Sequence, residues 1–235
     1  MRKNKVYTLL LIVLLLNLLS PFTTEIIPVT AEANASVEAI DINFQKISFQ
    51  SFTKFIKSVT FEKSGNSFVG IISPKLFTLP IMQQPAGQPG FVSNESEKIT
   101  EFGLARQYGT TGLLAHNHLA GAYFANLVEN DLLILVTANK EYKFYRIEKI
   151  SAFQALSPNS PYSNFVDLNN TSRILTATDL FYEVYTKEGS LVLQTCIAQG
   201  SELSWGRLFI QAVPVEEINF LDLINLRNNT TSTIL

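Results

Sequence analysis

The chain has 235 residues, of which 46% are hydrophobic and 16% charged, and its formal net charge is -2 from 18 Lys+Arg against 20 Asp+Glu. That balance fits a chain that buries a core and excludes a disordered one. No basic face or run stands out beyond the first five residues, which excludes nucleic acid as a partner.

The N-terminus opens with Arg2, Lys3 and Lys5, followed by the apolar run Val6 to Leu19 and the break Ser20-Pro21. A run of 14 residues is short for a spanning helix, which needs about 20, and suits the core of a signal peptide. Ala33-Asn34-Ala35 supplies a small-x-small cleavage site, so residues 1–35 are expected to be a signal peptide or, if uncleaved, a membrane anchor. Both readings place the remainder outside the cytoplasm, secreted or held at the cell surface.

Residues 36–75 read as an N-terminal extension. Ile40 to Phe52 alternates in a strand-like way, while FTKFIKSVTFEK (Phe52 to Lys63) fits helix or strand. Leu79 to Lys98, punctuated by Pro80, Pro85 and Pro89, is expected to be extended or looping. Strand signals then recur: Gly112 to Ala115, Asp131 to Thr137, Tyr142 to Ile150, Ser190 to Cys196 and Arg207 to Val213, with a hairpin loop at residues 138–141. Short helices are expected between His118 and Asp131 and over Ala177 to Tyr185, the latter with Thr178 as N-cap. Ser157 to Ile174 reads as a long loop, and residues 215–235 as a tail with one amphipathic piece, VEEINFLDLINL. Many short strands and few helices argue for a mainly β fold over residues 76–214, a closed or nearly closed barrel, with a two-sheet sandwich as the other arrangement the pattern allows.

Cys196 is the one cysteine, so no intramolecular disulfide forms, and an unpaired thiol in an exported chain either pairs with another chain, lies inert or reacts. The two histidines, His116 and His118, follow an apolar strand directly, and Cys196 closes another. Partners of a Cys–His pair meet in space and not in sequence, so two strand ends are a suitable display. Arg207 opens the next strand, and if the two strands are neighbours it returns to the level of Cys196. A guanidinium there can stabilise a thiolate or donate to the oxyanion of a tetrahedral intermediate. His116 and His118, two residues apart, would share a face of a continuing strand, so spacing selects neither.

LVLQTC followed by Arg207 resembles the Thr-Cys strand and arginine of sortases, and GLLAHNHLAGAYFANL resembles their strand-histidine segment, with Ala115 where that family often has Gly. The likeness spans Leu79 to Pro214 and keeps the family's order of motifs. It implies an eight-stranded sortase-like β-barrel and a cysteine transpeptidase with no metal or cofactor. Such an enzyme cleaves a sorting signal in an exported protein substrate, holds the acyl group as a thioester and passes it to an amine acceptor at the cell surface. The resemblance makes Cys196 the nucleophile, His116 the proton carrier, Arg207 the oxyanion partner and Thr195 a substrate contact, with His118 beside them. Three other readings stay open: a zinc site built from His116, His118 and Cys196, an inactive binding module on the same barrel, and a peptidase that sends the acyl group to water.

Overall fold

The computed structural model describes residues 49–160 and 162–215. The expected leader, the start of the extension and the amphipathic tail lie outside the described residues.

Helix α1 (Phe49–Thr60) settles the segment that fits two periods. Phe52, Phe55, Ile56 and Val59 recur at helical spacing and form one stripe, which packs against Val69, Ile72, Ile134 and Val136. The alternation read through to Phe52 therefore gives way to helix from Phe49 onward, because this stripe finds an apolar sheet face to cover. Gly70 lets the helix settle: a Cβ there would lie 3.0 Å from the Phe55 ring.

Ten strands follow: β1 (Phe68–Ser73), β2 (Phe77–Gln83), β3 (Ile99–Phe102), β4 (Thr111–Leu114), β5 (Leu132–Thr137), β6 (Tyr142–Ala155), β7 (Phe165–Asp167), β8 (Asn170–Leu175), β9 (Leu191–Gln199) and β10 (Glu202–Pro214). Their order is β10-β9-β4-β3-β2-β1-β5-β6, and β6 pairs again with β10, so eight strands close on themselves. This is the closed barrel, not the sandwich. The boundary expected at residue 75 falls inside the β1–β2 hairpin, so the barrel takes in β1 from the segment read as extension. The β5–β6 hairpin turns where expected, with Lys140 at φ 65°.

Two strand pairs are parallel, β2–β3 and β4–β9, and the rest of the barrel is antiparallel. One edge of β6 is shared by β5 and β7, and β7 pairs with β8 as a flap beyond the closed ring. The long loop expected at Ser157 to Ile174 is thus partly a hairpin. Its Asn- and Ser-rich composition hides the strands, but Phe165 is buried and Asn169 N–H donates to Asp167 Oδ1 at 2.9 Å to make the turn.

The barrel interior holds Ile71, Leu79, Leu113, Leu133, Leu135, Ile147, Leu193 and Ile210. A second apolar layer lies outside the wall, where Val192, Phe153 and Phe209 meet Leu180, Phe181, Val184 and Tyr185 of a helix over Ala177–Tyr185. A one-turn helix α2 (Gly103–Arg106) precedes it in the chain, so it is α3. Its N-cap is Thr176, not Thr178. Thr176 Oγ1 accepts from Asp179 N–H at 3.1 Å, and the Asp179 carboxylate returns the bond, a reciprocal cap that Thr178, already inside the first turn, has no geometry to make. The helix expected after His118 is a 3₁₀ segment, η1 (Ala120–Asn126).

Candidate active site

Strand β9 lies between β4 and β10 in the sheet, and this ordering decides what can surround Cys196. On one side the antiparallel register places Arg207 directly opposite Cys196 and Gly206 opposite Ile197. Directly opposed residues project from the same face, with their Cβ atoms about 5 Å apart. On the other side β4 runs parallel to β9, with Leu113 beside Leu193 and Leu114 beside Gln194. Ala115 N–H still donates to Gln194 C=O at 3.2 Å. Beyond that bond β4 has ended and the chain turns at His116, on the side of β9 that faces away from Arg207's strand. One concave pocket is lined by His116, Cys196 and Arg207 at its polar end, and Thr195 also borders it.

The apolar part of that pocket comes from Phe102, Leu114, Phe165, Leu180, Phe181 and Phe209, so α3 and β7 roof a cleft that leads to the thiol. Gln194 sits in the same cleft, and Tyr185 Oη donates to its Oε1 at 2.5 Å. Full burial pushes the Tyr185 phenol well above its ordinary range, so it stays a neutral donor. Strand alternation puts Val192, Gln194 and Cys196 on this outer face, which is why the residue two places before the thiol becomes part of the site.

Arg207 is only 4% exposed. Its Nη1 donates to the carbonyls of Ser204 at 2.9 Å and Gly206 at 2.8 Å. Among the described residues no carboxylate pairs with it. A buried guanidinium held by neutral carbonyls keeps its charge uncompensated, which is costly in a fold and apt where negative charge develops during reaction. The close approach of β10 to β6 needs Gly206, since a Cβ there would stand 2.6 Å from Phe153 C=O.

The two histidines do not continue β4, which ends at Leu114. They lie in the turn into η1, their rings stacked with centroids 5.5 Å apart. His116 is half-buried and lines the pocket, whereas His118 is exposed. Burial pushes the His116 imidazole below its ordinary value of 6.5, and the neighbouring His118 adds to this, partly offset by donation to the Val92 carbonyl. At neutral pH His116 is therefore an uncharged base. Val92 belongs to the loop between β2 and β3, a contact that nothing in the sequence pattern signals.

Thr195 points the opposite way from Cys196, as neighbours on a strand must. Its hydroxyl is buried, has no partner among the described residues, and faces η1 at Gly121. Among the described residues no group of three or more His, Cys, Asp or Glu side chains is arranged to hold a metal ion. No helix among them is long and apolar enough to cross a membrane.

No family model matches the chain, and no curated protein matches it in sequence. In fold it is similar to sortases. It resembles sortase C1 of GBS Pilus Island 1 at 13% identity and a TM-score of 0.44, over 70% of this chain and 73% of that one. Sortase A from Corynebacterium diphtheriae matches at 11% identity and a TM-score of 0.43, over 76% of this chain and 79% of that one. Clostridium perfringens sortase C, in a structure with the C-terminal cell wall sorting motif, matches at 14% identity and 0.43, over 72% and 89%.

Proposed function

We propose that this chain is a sortase-like cysteine transpeptidase acting outside the cytoplasm, with residues 68–214 as its catalytic barrel and residues 1–35 as its signal peptide or anchor. The observation that carries this reading is one pocket lined by Cys196 on the central one of three strands, by Arg207 opposite it on β10 and by His116 in the turn that follows β4.

In this reading Cys196 Sγ attacks the scissile carbonyl of a sorting signal while its proton passes to His116. The oxyanion that forms is met by the Arg207 guanidinium. The C–N bond then breaks, His116 gives the proton to the leaving amine, and a thioester remains on Cys196. An amine acceptor attacks the thioester, His116 takes its proton, the C–S bond breaks as the new amide forms, and His116 returns the proton to the departing sulfur. The imidazole held neutral by burial suits the proton-accepting half of each cycle. The apolar cleft under α3 suits an extended peptide with apolar side chains. Thr195 acts through the backbone beside the nucleophile, since its side chain faces inward.

The test is intact-mass analysis of the folded protein with a panel of synthetic sorting-signal peptides, with and without triglycine. An acyl adduct on Cys196 that triglycine converts to ligated product supports transpeptidation. An adduct that resolves only to the free acid, with or without triglycine, supports a peptidase instead. A folded protein that forms no adduct, and whose thiol is alkylated only after denaturation, overturns the proposal in favour of an inactive module.

A further inference from the structure

Gly121 occupies an unusual position. It is the second residue of η1, and its N–H donates to the carbonyl of His116 at 3.0 Å. Leu119 N–H donates to the same carbonyl, also at 3.0 Å, so one oxygen anchors the turn that carries both histidines. A Cβ built on Gly121 would lie 2.3 Å from Thr195 Oγ1, 2.7 Å from His116 C=O and 2.9 Å from Ala115 C=O. Two of those atoms are backbone and the third is a buried threonine, so none moves freely. The φ of Gly121 is not in the left-handed region, because positive values among glycines fall at residues 65, 87, 109, 189 and 200. The glycine is required for space and not for backbone freedom.

Thr195 is joined to Cys196, and the carbonyls of Ala115 and His116 flank the residue that carries the imidazole. The empty Cβ position of Gly121 is thus where η1 touches both arms of the Cys–His pair at once. We infer that Gly121 is a positioning residue that sets the separation of His116 from Cys196 by letting η1 dock directly on Thr195 and the 115–116 backbone.

This rests on the Cys–His reading above. A side chain at 121 lifts η1 or pushes β9 and the His116 turn apart, and misplacement on the order of 1 Å is enough to lower a reaction that depends on alignment about a hundredfold. The barrel itself is held by its ladders elsewhere, so the change falls on the site more than on the fold.

The experiment measures the rate of iodoacetamide alkylation of Cys196 against pH, which needs no substrate, in the wild-type chain and in Gly121→Ala, His116→Ala and Gly121→Ala/Thr195→Ala, with thermal unfolding and circular dichroism as controls. The expected result is a folded Gly121→Ala whose alkylation at neutral pH falls about tenfold and whose pH profile moves toward that of His116→Ala. The double variant, which removes the nearest contact, is expected to recover part of the profile. Should Gly121→Ala not fold, Thr195→Val crowds the same gap from the other side and is expected to shift the profile in the same direction.

A folded Gly121→Ala, or Thr195→Val in its place, with the wild-type profile, measured beside a His116→Ala that differs, overturns the inference alone. A His116→Ala with the wild-type profile sinks the Cys–His reading, and the inference with it.

Discussion

Arg207 lies directly across the β9–β10 ladder from Cys196, so guanidinium and thiol leave the same face of the same sheet. The arginine is almost wholly buried yet spends its hydrogen bonds on two main-chain carbonyls, leaving its charge for whatever occupies the cleft.

Replacing Arg207 by Lys keeps the charge and removes the planar fork. The expected outcome is a kcat for acyl transfer lower by about 10²–10³-fold, the scale associated with losing one oxyanion donor, with KM changed much less. Steady-state kinetics on a peptide from the panel checks this, and an unchanged kcat would remove Arg207 from the chemistry.

His116 makes folding pH-dependent. Its imidazole resists protonation in the folded chain, while in the unfolded chain it takes a proton at about the ordinary 6.5. The unfolded state thus binds more protons between those two values. The stability His116 confers is present above pH 6.5 and is lost as pH falls through the folded value. His116→Asn is expected to flatten this acid-side decline in chemical denaturation curves collected across pH.

His118 is expected to act on His116 through its charge, because the two rings stack. His118→Asn removes a like charge and should raise the His116 pKa toward its ordinary value, moving the acid limb of the activity profile to higher pH. Imidazole proton shifts followed by NMR titration report this directly.

The cleft can be filled without touching the thiol. Ala177 lines it from the first position of α3. Ala177→Trp is expected to weaken sorting-peptide binding, seen as a raised KM, while the alkylation rate of Cys196 by a small reagent stays unchanged. A parallel loss of alkylation would mean that the helix had shifted instead.

Thr176 caps that helix reciprocally with Asp179. Thr176→Ala is expected to cost about 1 kcal/mol in urea unfolding. Thr178→Ala serves as the control and is expected to cost less, because Thr178 is not the cap.

The mainly β class, the strands flanking Cys196, and a candidate set of Cys196, the two histidines and Arg207 were legible in the sequence because they rest on local patterns and residue types. Only the family resemblance singled out His116 from His118. Alternation marks a strand such as Tyr142 to Ile150, and a residue type such as the single Cys is visible wherever it falls. The cap at Thr176 and the β7–β8 hairpin were misread for the same local reason. Thr176 and Thr178 look alike without helix geometry, and Asn- and Ser-rich strands lack an alternation to detect.

Pairing was beyond the reach of any local signal. The sequence placed Arg207 level with Cys196 only on the condition that β9 and β10 pair, and the structure meets that condition. That β4 runs parallel beside β9, that Gln194 and the Val92 carbonyl join the site, and that Gly121 touches both arms of the pair had no such sign. They link residues far apart in the chain, and the hydrogen bonds and packing that create them exist only once the sheet has closed. Residue chemistry and strand periodicity belonged to the sequence, and the distances between functional groups belonged to the tertiary structure.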